Sequence, residues 1–454
     1  MNPGESALTL IELIGNTPIV ELTHFDTGPC RVFAKLEYMN PGGSIKDRVA
    51  LTMIEQAERR GDLAPGDTII EATAGNTGLG LALVASQKNY NLVLVLPDKM
   101  SLEKINTLKC MGVDVRITRS DVHAGHPEFY QDMARRLAIE EGYYFIDQFK
   151  NEDNVLAHRT TTGPEIYSQM NGRLDAFVCG VGTGGTLTGV GGYLKETDPA
   201  ISVVLADPEG SIHAGYVNTG KMPEAGKYLV EGIGGDEIPA ICDLSLADKA
   251  YSISDVEAFS TVRELLRVEG IMAGTSSGTL LAATLRYCRE QTEEKRVVTL
   301  LPDNGARYIS KVFNDDWMLD QGLLARPVHN DLRDLIPHPH SERTTITVSP
   351  EDKFQTALNR AKLHSISQLP VLENDRIVGI IDEWDMLQAV YTKSSALEEP
   401  VSSFMTSNLE LIEYNSPINE LIPIFSKDHV AIVMDGDNFL GIITKIDMIN
   451  YLRY

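Results

Sequence analysis

The apolar positions of this chain change period repeatedly over roughly its first 320 residues. Short unbroken apolar runs, "NLVLVLP" (91–97), "DAFVCGVG" (175–182), "SVVLAD" (202–207) and "RVVTLLPD" (296–303), read as buried strands. Between them the spacing becomes helical. In "RVALTMIEQAERRG" (48–61), Val49, Ala50, Met53, Ile54 and Ala57 share one face, and Gly61 stands where a left-handed cap belongs. Such alternation predicts an α/β fold with a mostly parallel sheet covered by helices.

The pattern then breaks. "LLARPVHNDLRDLIPHPHSER" (323–343) carries three prolines and three histidines and reads as a linker. Beyond it lies an internal repeat. "LPVLENDRIVGIIDEWDML" (369–387) parallels "VAIVMDGDNFLGIITKIDMI" (430–449), with Gly379 matching Gly441 and Asp385 matching Asp447. Each unit reads as strand, turn, strand, helix, and two such units would bury their faces against each other. The expected organisation is a domain over 1–322, a linker over 323–343, and repeats over 344–395 and 396–454.

Charge and cysteine usage narrow the classes. A net charge of −24 argues against nucleic-acid and anionic-membrane partners. The five cysteines are odd in number and widely spaced, without a C-x-x-C, which disfavours a disulfide framework or zinc site and fits a reducing compartment. "HPH" in the linker lacks further ligands at metal spacing. The first residues, "MNPGESALTLIEL", lack the basic and apolar segments of a secretory signal, and no apolar run approaches a membrane span. A cytoplasmic location without bound metal is expected.

Four short stretches carry candidate chemistry. In "NPGGSIKDR" (40–48), Ser44 and Asp47 have the S-x-x-D form of a helix start, which puts Lys46 in the first turn. The helix dipole disfavours an ammonium there, and a neutral lysine is what carbonyl condensation needs. A solvated lysine is the plainer reading. "EATAGNTGLGLALVA" (71–85) places Thr73, Gly75, Asn76 and Thr77 at a strand-to-helix turn able to hold a carboxylate, or merely at a tight turn. "CGVGTGGTLTGVGGYL" (179–194) offers Gly182, Thr183, Gly184, Gly185 and Thr186 as a nest for a phosphate. Its G-x-G-x-x-G, with Asp207 downstream, also fits a dinucleotide site, so a nicotinamide-dependent oxidoreductase is an alternative. "EGIMAGTSSGTLLAATLRY" (269–287) puts Ser276 or Ser277 at another helix start, as a cap or as a hydroxyl facing a ring nitrogen. Pyridoxal phosphate has a partner for all four features, and open α/β sheets bind ligands at the carboxyl ends of their strands.

Together with "IGNTPIVEL", "TTGPEI" and "DNGARYISKVFNDDWM", these stretches resemble the fold-type II pyridoxal phosphate enzymes of the cysteine synthase and cystathionine β-synthase group. The resemblance implies two α/β subdomains and a cofactor bound to Lys46 as a Schiff base. It implies Asn76 at the cofactor's 3′ oxygen, Gly182 through Thr186 at its phosphate and Ser276 at its ring nitrogen. Thr73, Gly75, Thr77 and Gln148 match positions that bind the substrate carboxylate. The implied activity is β-replacement on serine or O-acetylserine, and a homodimer is implied with it.

"ADPEGS" (206–211) and "FNDDWM" (313–318) resemble the cystathionine β-synthase branch, which implies homocysteine as the thiol. Cysteine synthase, using sulfide, is the close alternative. The repeats resemble tandem CBS domains, a Bateman module. That resemblance implies an adenosyl ligand, S-adenosylmethionine or an adenine nucleotide, near Thr444 and Asp447. The first repeat has Asp382 where a hydroxyl is expected. No N-terminal haem segment is recognised, and no haem is expected. Ala74, Phe149 and Gly235 stand where the family often has hydroxyls, which predicts a preference for O-acetylserine.

Overall fold

A computed structural model describes residues 8–452 except 74, 99, 101, 124, 326–327 and 394. The chain forms two compact units that divide between Trp317 and Met318. In the first, the strands are β1 (Ile19–Leu22), β2 (Arg31–Lys35), β3 (Thr68–Ala72), β4 (Asn91–Pro97), β5 (Asp114–Thr118), β6 (Tyr144–Phe145), β7 (Ala176–Cys179), β8 (Ser202–Pro208), β9 (Lys249–Ile253) and β10 (Arg296–Leu300).

They form two sheets. One runs β1-β2-β10-β7-β8-β9 and is parallel except for β1 against β2. The other runs β5-β4-β3-β6 and is wholly parallel. Two sheets, each with its own helices, make the two α/β subdomains. The run read over 175–182 is a strand only to Cys179, because the glycines after it turn the chain out of the sheet.

The helix read from 48 begins two residues earlier, at Lys46, and ends at Arg60, with Gly61 capping it at φ 77°. Its predicted apolar face is fully buried. It packs on Leu81 and Val84 of the helix Asn76–Lys88 and on Leu92 and Leu94 of β4. Burial of each such side chain contributes about 1.5–3 kcal/mol, which anchors the Lys46 turn to the sheet. The opposite sheet face packs Ile70, Val93 and Val95 on Ala134 and Ala138 of the helix Tyr130–Glu141. Parallel strands gather the loops after β2, β3, β7 and β10 at carboxyl ends.

In the second unit, β11 (Gln368–Glu373) pairs antiparallel with β12 (Arg376–Asp382). There β13 (Leu411–Glu413) lies parallel to β14 (Ala431–Asp435), which pairs antiparallel with β15 (Asn438–Ile443). The repeat is visible in the register: each hairpin has an irregularity at the matching place, Val371/Leu372 and Val433/Met434. Ile432, Met434 and Phe439 of the second repeat pack with Leu372 and Ile377 of the first. The segment read as a solvated linker is partly core. Leu332, Leu335 and Ile336 are buried in the second repeat's cluster, an apolar spacing that the surrounding prolines and histidines obscure. No helix among the described residues is long and apolar enough to cross a membrane.

Candidate active site

The loop after β2 delivers Lys46. Gly43 has φ 79°, and a side chain at Gly42 would overlap the Asp47 carboxylate. Asp47 Oδ2 accepts from the Gly42 amide at 2.5 Å. The S-x-x-D reading holds in half. Ser44 Oγ accepts from the Lys46 amide at 3.3 Å, but Asp47 folds back onto the Pro-Gly-Gly turn instead of serving the Ser44 amide. Lys46 is the first helical residue, and its amine is pushed down from 10.5 to about 8. Burial is the cause.

Two residues on, Arg48 fixes this turn to the subdomain. Its guanidinium donates to Glu37 (Nε–Oε2 2.8 Å, Nη2–Oε1 2.9 Å) and to Glu165 (2.6 and 2.7 Å). Lys35 Nζ donates to Glu165 Oε2 at 2.8 Å. Lys35, Glu37 and Arg48 are buried and Glu165 is half-buried, so two cations and two anions form a neutral quartet beside the Lys46 turn.

The turn after β3 carries Thr73, Gly75, Asn76 and Thr77, and Asn76 opens the helix rather than taking a left-handed turn. Thr77 Oγ1 donates to Gln148 Oε1 at 2.6 Å, which joins this turn to the loop after β6. Glu71 lies beneath both, accepting from the amides of Ala72 (2.9 Å) and Gln148 (3.2 Å). Burial pushes its carboxyl up to about 8. Ala74 lies outside the described residues.

The turn after β7 is the glycine nest. Gly184 has φ 91°, and a side chain there would overlap Cys242. Gly182 is closed in by the Gly232 carbonyl and Gly185 by Asn154. The Thr183 hydroxyl lies 3.5 Å from Lys46 Nζ. Thr186 meets His158 Nε2 at 3.3 Å, while His158 Nδ1 meets Thr162 at 3.0 Å. Burial holds His158 well below its usual range, so it is neutral. Asp207 does not fit the dinucleotide reading. It is fully buried, accepting from the Ala214 amide (2.8 Å) and meeting His213 (3.3 Å), and so anchors a loop.

These turns enclose a cavity of about 480 Å³. It brings together Lys46, Thr73, Gly75, Asn76, Thr77, Gln148, Gly182, Thr183, Gly184, Thr186 and Ser276; Gly185 packs behind it. Among the described residues that line it, Lys46 is the cation and none is acidic. Ser276 is buried on the cavity wall, one residue into its helix. The cap position there is Gly274, so Ser276 is not the N-cap. The Asn76 amide is engaged at both ends, donating to Asp303 Oδ2 at 2.8 Å and accepting from Arg307.

Sequence reading missed several groups. Tyr130 and Tyr228 line the cavity, Tyr228 from an irregular loop that carries no periodic signal. Burial pushes Tyr228 up to about 12, so its hydroxyl stays protonated. The described lining of the cavity thus holds two tyrosines besides Phe149. Gly235 lies outside the lining, with its amide donating to Ser211 Oγ at 3.0 Å. Asp303 and Arg307, inside the motif "DNGARYISKVFNDDWM", carry no signal in sequence for their contacts with Asn76.

In the second unit, the Thr444 hydroxyl and amide both donate to Asp447 Oδ2, at 2.5 and 2.8 Å. In the first repeat, Asp382 accepts from the Asp385 amide at 2.8 Å and caps the helix in place of a hydroxyl.

The cavity residues suit pyridoxal phosphate. The amine of half-buried Lys46, of low basicity, faces a nest whose glycines admit no side chain, and Ser276 presents a neutral hydroxyl with no acid beside it.

Residues 10–303 match the family described as pyridoxal-phosphate dependent enzyme, and residues 334–392 and 401–454 match the CBS domain. The chain is 35% identical to cystathionine beta-synthase of Oryctolagus cuniculus, over 98% of this chain and 84% of that one. It is 33% identical to cystathionine beta-synthase of Saccharomyces cerevisiae, over 99% and 98%. Among solved structures, O-ureido-L-serine synthase superposes with a TM-score of 0.64 at 34% identity, covering 69% of this chain and all of the other. A motif set, a cavity and near full-length similarity agree: the chain belongs to the pyridoxal-phosphate dependent enzymes and carries a C-terminal pair of CBS domains.

Proposed function

We propose that this chain is a cystathionine β-synthase that condenses serine or O-acetylserine with homocysteine. The observation that carries the reading is a half-buried, weakly basic Lys46 facing a glycine nest in a cavity whose described lining has no acid. The similarity to cystathionine beta-synthases over nearly the whole chain supports it.

Pyridoxal phosphate, when bound, supplies an aldehyde for a lysine amine and an electron sink for a carbanion at the donor's α-carbon. The chain's own groups divide the remaining work. Gly182, Thr183, Gly184 and Thr186 would hold the phosphate with backbone amides and hydroxyls, with Gly185 packed behind them. Thr73, Gly75, Thr77 and Gln148 hold the donor carboxylate and so fix the direction of its α-hydrogen. Lys46 Nζ, neutral for a useful fraction of the time near pH 8, takes that proton as general base. Ser276 offers the ring nitrogen a hydroxyl that cannot hold it protonated as a carboxylate would, which favours loss of the β-substituent over transamination. Asn76, held by Asp303 and Arg307, faces the 3′ oxygen.

The proposed domains are catalytic over 1–322, a connecting segment over 323–343 that lends Leu332, Leu335 and Ile336 to the second repeat's core, and regulatory over 344–454, in a cytoplasmic homodimer. The regulatory ligand is S-adenosylmethionine or an adenine nucleotide near Thr444 and Asp447. Product analysis with homocysteine and sulfide in competition, run with serine and with O-acetylserine, tests the reading. Cystathionine as main product is expected. Cysteine alone would make the chain a cysteine synthase, and borohydride trapping that leaves Lys46 unlabelled would overturn the reading altogether.

A further inference from the structure

The structure assigns a positioning role to Asn154, a residue outside every motif read from the sequence. We infer that it ties the loop holding the donor carboxylate to the nest holding the phosphate, so that occupation of one is felt at the other. The inference rests on the proposed function, which defines both seats.

Asn154 is fully buried at the start of the short helix Asp153–Ala157. Its Nδ2 donates to the Gln148 carbonyl at 2.9 Å and to Thr183 Oγ1 at 2.9 Å. Its Oδ1 has no hydrogen-bond partner and rests against Gly185, where a Cβ would overlap it. One rigid planar amide therefore touches both loops. A buried acceptor left unpaired is unfavourable, and here it accompanies a geometry in which the amide's donors serve two separate loops.

Each contact is passed on. Gln148 is held from three directions: by Asn154 at its carbonyl, by Glu71 at its amide and by Thr77 at its side chain. It has little freedom to move apart from the carboxylate turn. Thr183 accepts from Asn154 and, at 3.5 Å, from Lys46, so its own hydroxyl proton is left to donate into the cavity. A phosphate that accepts a hydrogen bond from this hydroxyl draws Thr183 toward itself, and Asn154 transmits the displacement to Gln148. A side chain that only filled space would leave the two loops responding independently.

Amide hydrogen exchange of the full chain, with and without pyridoxal phosphate, reads this directly. In the parent protein, the cofactor should slow exchange over 180–188 and also over 146–150. In Asn154→Ala, protection over 180–188 should persist, protection over 146–150 should be lost, and cofactor affinity should fall roughly tenfold, as loss of two buried hydrogen bonds predicts. Asn154→Leu keeps the bulk without the donor, should behave alike, and serves if the alanine variant does not fold. Equal protection of 146–150 in parent and variants overturns the inference, as does a parent in which only 180–188 responds. A parent protected in neither segment instead sinks the proposed function, which separates the two failures.

Discussion

The basicity of Lys46 gives the sharpest test, because it can be read without any cofactor. Burial brings the amine from 10.5 to about 8. At pH 7 a group of that pKa is neutral in about one molecule in ten, against about one in 3,000 for an ordinary lysine, a ratio of about 300. The sign is that of a buried base: the amine is charged below pH 8 and neutral above it, and its reactivity rises tenfold per pH unit until it levels off there. Competitive labelling of cofactor-free protein with a trace acylating reagent from pH 6 to 10, read by peptide mass spectrometry, gives a titration curve for each lysine. The cavity of about 480 Å³ admits a small reagent. Lys46 should reach its plateau near pH 8 while exposed lysines are still rising at pH 10. A Lys46 curve that follows the exposed lysines would refute the assignment of its low basicity to burial.

Other perturbations follow from the same geometry. Arg48→Met leaves Glu37 buried without a cation and should cost about 3–5 kcal/mol in urea unfolding; a loss below about 1 kcal/mol contradicts the quartet's role. Gly185→Ala places a methyl on Asn154 Oδ1 and should abolish cofactor loading, followed by visible absorbance, while circular dichroism stays unchanged. Glu71 is raised from 4.5 to about 8, so folding takes up a proton between those values. Its stabilising share is complete below pH 4.5 and lost as pH climbs to about 8. Glu71→Gln should flatten that slope in unfolding measured at pH 5, 6.5 and 8, and an unchanged slope refutes the assignment.

Periodicity made much of the scaffold legible. The apolar face of the Lys46 helix and the runs at β4, β8 and β10 follow from burial on one face or two, which leaves a direct trace in spacing. The glycine motifs were legible because close backbone approach admits no other residue. What stayed hidden depends on contacts distant in sequence. Tyr228 reaches the cavity from a loop without period, and Asn154 joins residues from separate turns. Asp47 showed a cap-like spacing, yet the competing Gly42 amide takes its carboxylate. The apolar triad Leu332, Leu335 and Ile336 was overshadowed by the composition around it.

The quartet of Lys35, Glu37, Arg48 and Glu165 also constrains how such a sequence can drift. Each member neutralises another, and Lys35, Glu37 and Arg48 do so where water does not reach, so exchange of one strands a charge. A lineage can leave this arrangement only by altering two positions together or by first gaining spare stability elsewhere. The support beside the reactive lysine is therefore harder to revise than the pocket itself, and new substrates are expected to be won by changing the walls while that support stays as it is.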